Sequence, residues 1–295
     1  MTAVGATRRA CPGSVRGLAL GAAAVVALAG CTVHSTVHVF PPAPGCVVPE
    51  IAAWHGATRA GPPNTVPAIE GTTETGGERA LVDVRFTADH VPVLHHAPRV
   101  EVAAGRRVPI SKLPEQRVTE VVLEKGVTIP TLEEALATAE RADIGLMARI
   151  WPQRASRSEV ERAARMVEES PVAARSSIVS RDTAVLRAAR HAAPHVGRDL
   201  VRDRVTQELV TTAEETELDS YVLPTAGVLA HPEIVRTLRD RGMHVWTWTE
   251  HTPHHTWGEL TSLQVHGIIA DSPAALHTWE SEHCAAAEET PSPTG

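Results

Sequence analysis

Residues 50–96 read EIAAWHGATRAGPPNTVPAIEGTTETGGERALVDVRFTADHVPVLHH, and this stretch decides the fold. Two short apolar runs, 51–54 and 80–86, each lead into polar residues at their C-terminal ends, with a helix-period segment between them. Strand, helix, strand in that order is the unit of a parallel sheet, and an α/β barrel gathers its chemistry where its strands end. Trp54 and His55 therefore fall at the end of the first strand, Asp83 on the second, and His95 and His96 after a short hairpin strand.

The rhythm continues outward. Expected strands are 51–54, 81–86, 144–150, 177–180, 198–201, 220–223, 244–248 and 267–270. Expected helices are 65–75, 132–141, 158–169, 183–191, 207–217, 232–241 and a weak one near 257–263. Ser156 or Ser158 with Glu159 or Glu161, and Asp182 before Thr183, supply N-terminal caps. Eight strands alternating with helices in 295 residues predict an α/β fold, a TIM (β/α)8 barrel over 50–283. Residues 91–130 break the rhythm. They are expected to form a short insertion after strand 2, with a hairpin strand at 91–94 and little else regular.

The N-terminus reads as an export signal. Arg8, Arg9 and Arg16 precede an apolar run from Leu18 to Ala29 that is short for a membrane span. The run ends Leu28-Ala29-Gly30-Cys31, which resembles the lipobox of bacterial lipoproteins and implies a lipid on Cys31. A plain signal peptide with an incidental Cys is the other reading. The expected divisions are a signal over 1–30, a lipidated tether over 31–49 and a disordered tail over 284–295. Removing residues 1–30 takes away three Arg and no acidic residue, so the formal charge of −7 becomes −10. Such a chain is no nucleic-acid binder, and the lipid on Cys31, not a basic patch, would hold it extracytoplasmically to the bacterial cell membrane. Cys46 and Cys284 bracket the barrel, whose first and last elements lie side by side. Outside the cytoplasm a disulfide between them would contribute on the order of 4–5 kcal/mol in the chain-entropy model, with two buried thiols as the alternative.

The opening stretch resembles the glycerophosphodiester phosphodiesterase family, whose pattern runs HRG, PENT, ExDV and a strand ending in HD. Here WHG, PPNT, LVDV and LHH keep the spacing without a gap. IPTLEEAL at 129–136, Trp248-Thr249-Glu250-His251 and VHGIIADSP near the end resemble later family motifs in the right order, so the likeness runs from Ile51 to Pro273. The resemblance implies a divalent cation, Ca²⁺ or Mg²⁺, held by the two ExD carboxylates and a Glu on the third strand, two His for proton transfer, and an Arg and a Lys to grip phosphate.

Position by position, much of that equipment is replaced. Trp54 stands for the first His, His55 for the Arg, Pro63 for the Glu of PENT, Leu81 for the first metal Glu and Met147 for the third-strand Glu. Asp83 is retained, Arg149 stands for the Lys, His95 matches the second His, and His96 replaces the Asp after it. Deleting one residue would make His55 the first His but would break the match at Gly56. A lone Asp is a poor holder of a hard cation, which wants several oxygens. His55, Asp83, His95 and His96 share one barrel mouth and offer nitrogen donors suited to Zn²⁺. Asp83 also reads as a structural carboxylate paired with an Arg, His95 and His96 as a polar strand end, and Trp248 as a rim aromatic or a substrate platform. His251, His254 and His255 read as a solvated loop.

The sequence thus predicts a membrane-anchored lipoprotein with a phosphodiesterase-like barrel, a pseudo-enzyme that binds a phosphodiester or polyol ligand. An altered, active phosphodiesterase using His95 and His55, with Arg149 and Trp248 on the substrate, is the second expectation. A cell-surface scaffold whose pocket is filled by Trp54 and Met147 is the third.

Overall fold

The computed structural model describes residues 47–103, 105–151, 155–248 and 254–284. The first strand is β1 (Glu50–Trp54), followed by α1 (Val66–Glu74) and β2 (Arg79–Phe86). A short β3 (Pro92–Leu94) leads into a ribbon of β4 (Arg99–Ala103) and β5 (Arg106–Pro109), and then α2 (Glu115–Thr119). The βα alternation resumes with α3 (Leu132–Arg141), β6 (Gly145–Ile150), α4 (Arg157–Glu168), β7 (Ser177–Ser180) and α5 (Thr183–Ala192). It closes with β8 (Gly197–Val201), α6 (Glu208–Thr216), β9 (Ser220–Pro224), α7 (Thr225–Ala230), α8 (Pro232–Asp240), β10 (His244–Trp248), α9 (His254–Ser262), β11 (Gly267–Ala270) and α10 (Pro273–His283).

Eight parallel strands pair in the order β1-β2-β6-β7-β8-β9-β10-β11, and β11 pairs back onto β1. This is the closed TIM barrel that the eight expected strands predict. Each strand alternates its side chains between two environments, because successive Cβ atoms point to opposite faces. On β2, Ala80, Val82, Val84 and Phe86 join the layer between barrel and helices, while Leu81 joins the lumen. The lumen is filled by Ala52, Leu81, Met147, Val179, Val201, Val222, Trp246 and Ile269. Gly267 makes room for the largest of them: a Cβ there would lie 2.2 Å from the Trp246 ring.

Local sequence explains the helix starts. Thr131 with Glu134 and Ser156 with Glu159 form reciprocal capping boxes for α3 and α4, and Asp182 caps α5 through the Ala184 N–H.

Three expectations need correction. The insertion is more regular than expected, since β4 and β5 pair antiparallel and Val93, Val100, Ile110, Val118 and Ile129 form a small core of their own. Its elements are three to five residues long, too short to show a period. Helix α7 follows β9 without a loop, and Gly227 within it hides its helical pattern. Helix α10 is the last missed element; its sequence, PAALHTWESEH, carries only a weak apolar stripe. The expected signal, Cys31 and Cys46 lie outside the described residues. Cys284, at the end of α10, is buried and disulfide-bonded.

One buried acid on α10 makes stability depend on pH. Glu280 is 6% exposed, its Oε1 has no hydrogen-bond partner, and burial followed by the charge of Glu78 pushes its pKa up to about 8. A raised folded-state pKa gives stability that is full below the unfolded value near 4.5 and is lost as pH rises toward about 8. Urea midpoints should therefore fall across that window, and Glu280→Gln should flatten the slope; an unchanged slope in the variant would assign it elsewhere.

Candidate functional site

Register places the key pair. Along β2 and β6, Leu81 lies beside Met147 and Asp83 beside Arg149, with all four at the inward parity. The lower two form apolar lumen. The upper two meet as an ion pair, Arg149 Nε to Asp83 Oδ1 at 2.6 Å.

Asp83 is fully buried and surrounded by donors. Its Oδ1 accepts from Arg149 Nε and, at 2.8 Å, from Trp151 Nε1. Its Oδ2 lies 2.9 Å from His55 Nε2 and 2.8 Å from His96 Nδ1, with Asn64 Nδ2 at 3.5 Å. Asn64 Oδ1 also accepts the backbone N–H of Asp83 at 2.7 Å. Burial alone would raise the Asp83 pKa, but the bonds from His55, His96 and Arg149, and the Arg149 charge, hold it far below the usual carboxylate range. The acid is permanently ionised and already paired.

The turn after β1 aims His55 at this carboxylate. His55 and Gly56 both take positive φ, 61° and 83°, and the His55 carbonyl accepts the Asn64 N–H at 2.9 Å. A Cβ at Gly56 would lie 2.6 Å from the Ala68 carbonyl oxygen, so only glycine fits there. The His55 side chain is 9% exposed. Burial is the main cause of its lowered pKa, with Arg149 adding to the effect and Asp83 opposing it. Indoles surround the guanidinium of Arg149, with Trp54 at 5.2 Å and Trp151 at 5.0 Å from its centre. Trp248 lies against Trp54 at 5.7 Å between ring centroids, and the Arg85 guanidinium lies over the Trp151 ring.

The structure thus brings together His55, Asp83, His96, Arg149, Trp54 and Trp248. His95 stands apart from the carboxylate: its Nδ1 is 2.7 Å from the Ala97 carbonyl, and burial lowers its pKa. His251 lies outside the described residues. Two contributors escaped sequence reasoning. Asn64 belongs to the PPNT quartet that carries the resemblance, and Trp151 lies two residues beyond Arg149, hence at the same strand parity.

These residues do not fit a hard divalent cation. Ca²⁺ or Mg²⁺ needs several oxygens, yet the two positions beside the Asp83 and Arg149 pair on β2 and β6, Leu81 and Met147, are 1% and 0% exposed in an apolar lumen. The one remaining carboxylate carries a guanidinium, which neutralises its charge. Chemically the mouth offers indole faces and imidazole nitrogen.

Comparison with known proteins agrees with this fold. Residues 55–275 match the model of the Glycerophosphoryl diester phosphodiesterase family. Among curated proteins no sequence matches. The structure is similar to a glycerophosphodiester phosphodiesterase from Parabacteroides distasonis, at 21% identity and TM-score 0.70, over 81% of this chain and 99% of that one. It is also similar to an Oleispira antarctica phosphodiesterase in complex with the product sn-glycerol-3-phosphate, at 17% identity and TM-score 0.69, over 79% and 96% of the two chains. A Thermotoga maritima glycerophosphodiester phosphodiesterase aligns at 18% identity and TM-score 0.64, over 78% of this chain and 97% of that one.

The pairing of Asp83 with Arg149 has a measurable worth. Removing one partner of a buried pair leaves an uncompensated charge and costs about 3–5 kcal/mol. Arg149→Met should lose about that much in urea unfolding, and adding Asp83→Asn should restore a large part of it. A loss below about 1 kcal/mol for Arg149→Met would show that the other donors suffice to hold the carboxylate.

Proposed function

Because this chain belongs to the Glycerophosphoryl diester phosphodiesterase family, we propose that it keeps the family barrel as a ligand-binding mouth and has given up hydrolysis dependent on Ca²⁺ or Mg²⁺. The observation that carries this reading is the saturation of Asp83 by Arg149, Trp151, His55 and His96 over an apolar floor of Leu81 and Met147. A metal-dependent phosphodiesterase needs a cation to neutralise the phosphoryl oxygens. Here Arg149 brings a side-chain cation to the one carboxylate at that position.

The ligand we infer is a phosphodiester or polyol. Trp54 and Trp248 offer indole surface to its carbon skeleton, and His96, exposed at 57% of its side chain, offers a polar edge at the same mouth. We further propose that the chain is a lipoprotein held to the outer face of the cell membrane through Cys31, on the strength of the Leu28-Ala29-Gly30-Cys31 motif.

The test is turnover of glycerophosphocholine by the purified full-length chain with Ca²⁺ or Mg²⁺. The expected result is no hydrolysis above background, together with quenching or enhancement of tryptophan fluorescence on ligand addition. Ordinary enzymatic turnover with either ion would sink the reading. In cell fractionation, Cys31→Ser should move the protein out of the membrane fraction, and a membrane-bound variant would remove the anchor proposal.

A further inference from the structure

We infer that His55 Nε2, His96 Nδ1 and Asp83 Oδ2 form a site for a divalent transition-metal ion of the Zn²⁺ type, built from nitrogen donors where an all-carboxylate site would not fit. The inference rests on the reading that Asp83 no longer serves a hard cation. Three observations carry it.

The first is convergence. The three ligand atoms come from the end of β1, from β2 and from the loop after β3, and all lie within 4.8 Å of one another. A tetrahedral Zn²⁺ site spaces its ligand atoms about 3.4 Å apart, from bonds near 2.0–2.1 Å. The two histidine nitrogens are 2.9 and 2.8 Å from Oδ2, so a widening of about half an ångström suffices. His96, whose side chain is 57% exposed, can move outward, while the contact between the buried His55 and Asp83 must widen within the site.

The second is a conflict at one nitrogen, of which an ion would relieve the side facing Asp83. His55 Nε2 lies 2.9 Å from Asp83 Oδ2 and 3.0 Å from Arg149 Nη2. A carboxylate oxygen only accepts and a guanidinium only donates, so this single nitrogen faces both demands and can meet one. With a metal bound to Nε2 and Oδ2, both are electron-pair donors to the same ion, and the Nη2 N–H of Arg149 gives up its contact with Nε2. The protons of the two ligating nitrogens then leave to solvent or reside on the other ring nitrogen.

The third is an outer shell already in place. Oδ1 accepts from Arg149 Nε and Trp151 Nε1, which fixes the carboxylate plane and leaves Oδ2 facing the histidines. Ligating carboxylates are commonly held this way. The Arg149 charge opposes an added cation, which favours an ion bonded strongly to imidazole over Ca²⁺ or Mg²⁺. The exposed His96 puts one ligand of the site at the solvent boundary.

Co²⁺ serves as the probe. Titrated into the untagged full-length chain, it should give the visible absorption of a four-coordinate nitrogen and oxygen site at one equivalent, displaced by Zn²⁺. His55→Ala and His96→Ala should each weaken binding about 100-fold or more while circular dichroism stays unchanged, and His95→Ala should bind as the parent does. Trp151→Phe, which removes one donor to Oδ1, should weaken binding about tenfold. His96 is largely exposed, so its variant tests the site without threatening the fold. Absence of the cobalt spectrum, or a spectrum that survives loss of both His55 and His96, would overturn the site. Either of those outcomes leaves the reading of a barrel without Ca²⁺- or Mg²⁺-dependent hydrolysis standing, whereas turnover with those ions would remove that reading whatever cobalt does.

Discussion

The ion pair between Asp83 and Arg149 is the constraint on which the mouth of this barrel depends. Burying a carboxylate without a partner costs several kcal/mol, so a fully buried Asp83 must be answered by positive charge and N–H donors. In a barrel that keeps its metal, the ion supplies that answer. Here the strand register supplies it, because Asp83 and Arg149 sit opposite each other on neighbouring strands. Trp54 and Trp151 flank the guanidinium, and Asn64, His55 and His96 complete the shell around the carboxylate.

The pair separates two environments inside the barrel. Below it, Leu81 and Met147 are apolar lumen, and each contributes roughly 1.5–3 kcal/mol by leaving water. Above it, the mouth is aromatic and weakly polar. A Glu in place of Leu81 would bury a second carboxylate beside Met147, two residues from Asp83.

The fold was legible because its period is. Eight apolar runs at βα spacing located every barrel strand to within two residues at each end, and the capping residues Asp182 and Ser156 marked helix starts. The place of the insertion and its first strand were legible, but its inner ribbon was not, since strands of five and four residues show no period, and α10 was missed because its apolar stripe is weak. At the site, the sequence named His55, Asp83, His95 and His96 as neighbours of one mouth; three of them meet there, while His95 turns to the Ala97 carbonyl. The sequence allowed Asp83 to be a structural carboxylate paired with an Arg but could not say that the Arg is Arg149, because that follows from the register between two strands more than sixty residues apart. Asn64 and Trp151 were hidden for the same reason: their importance lies in a hydrogen bond to a residue distant in the chain.

The most direct test of the central claim is calorimetric titration of Ca²⁺ into the purified full-length chain. The account predicts heats no larger than dilution, with the same result in Asp83→Asn. Stoichiometric Ca²⁺ binding that Asp83→Asn abolishes would contradict it, since it would mean that the carboxylate remains available to a hard cation in spite of Arg149.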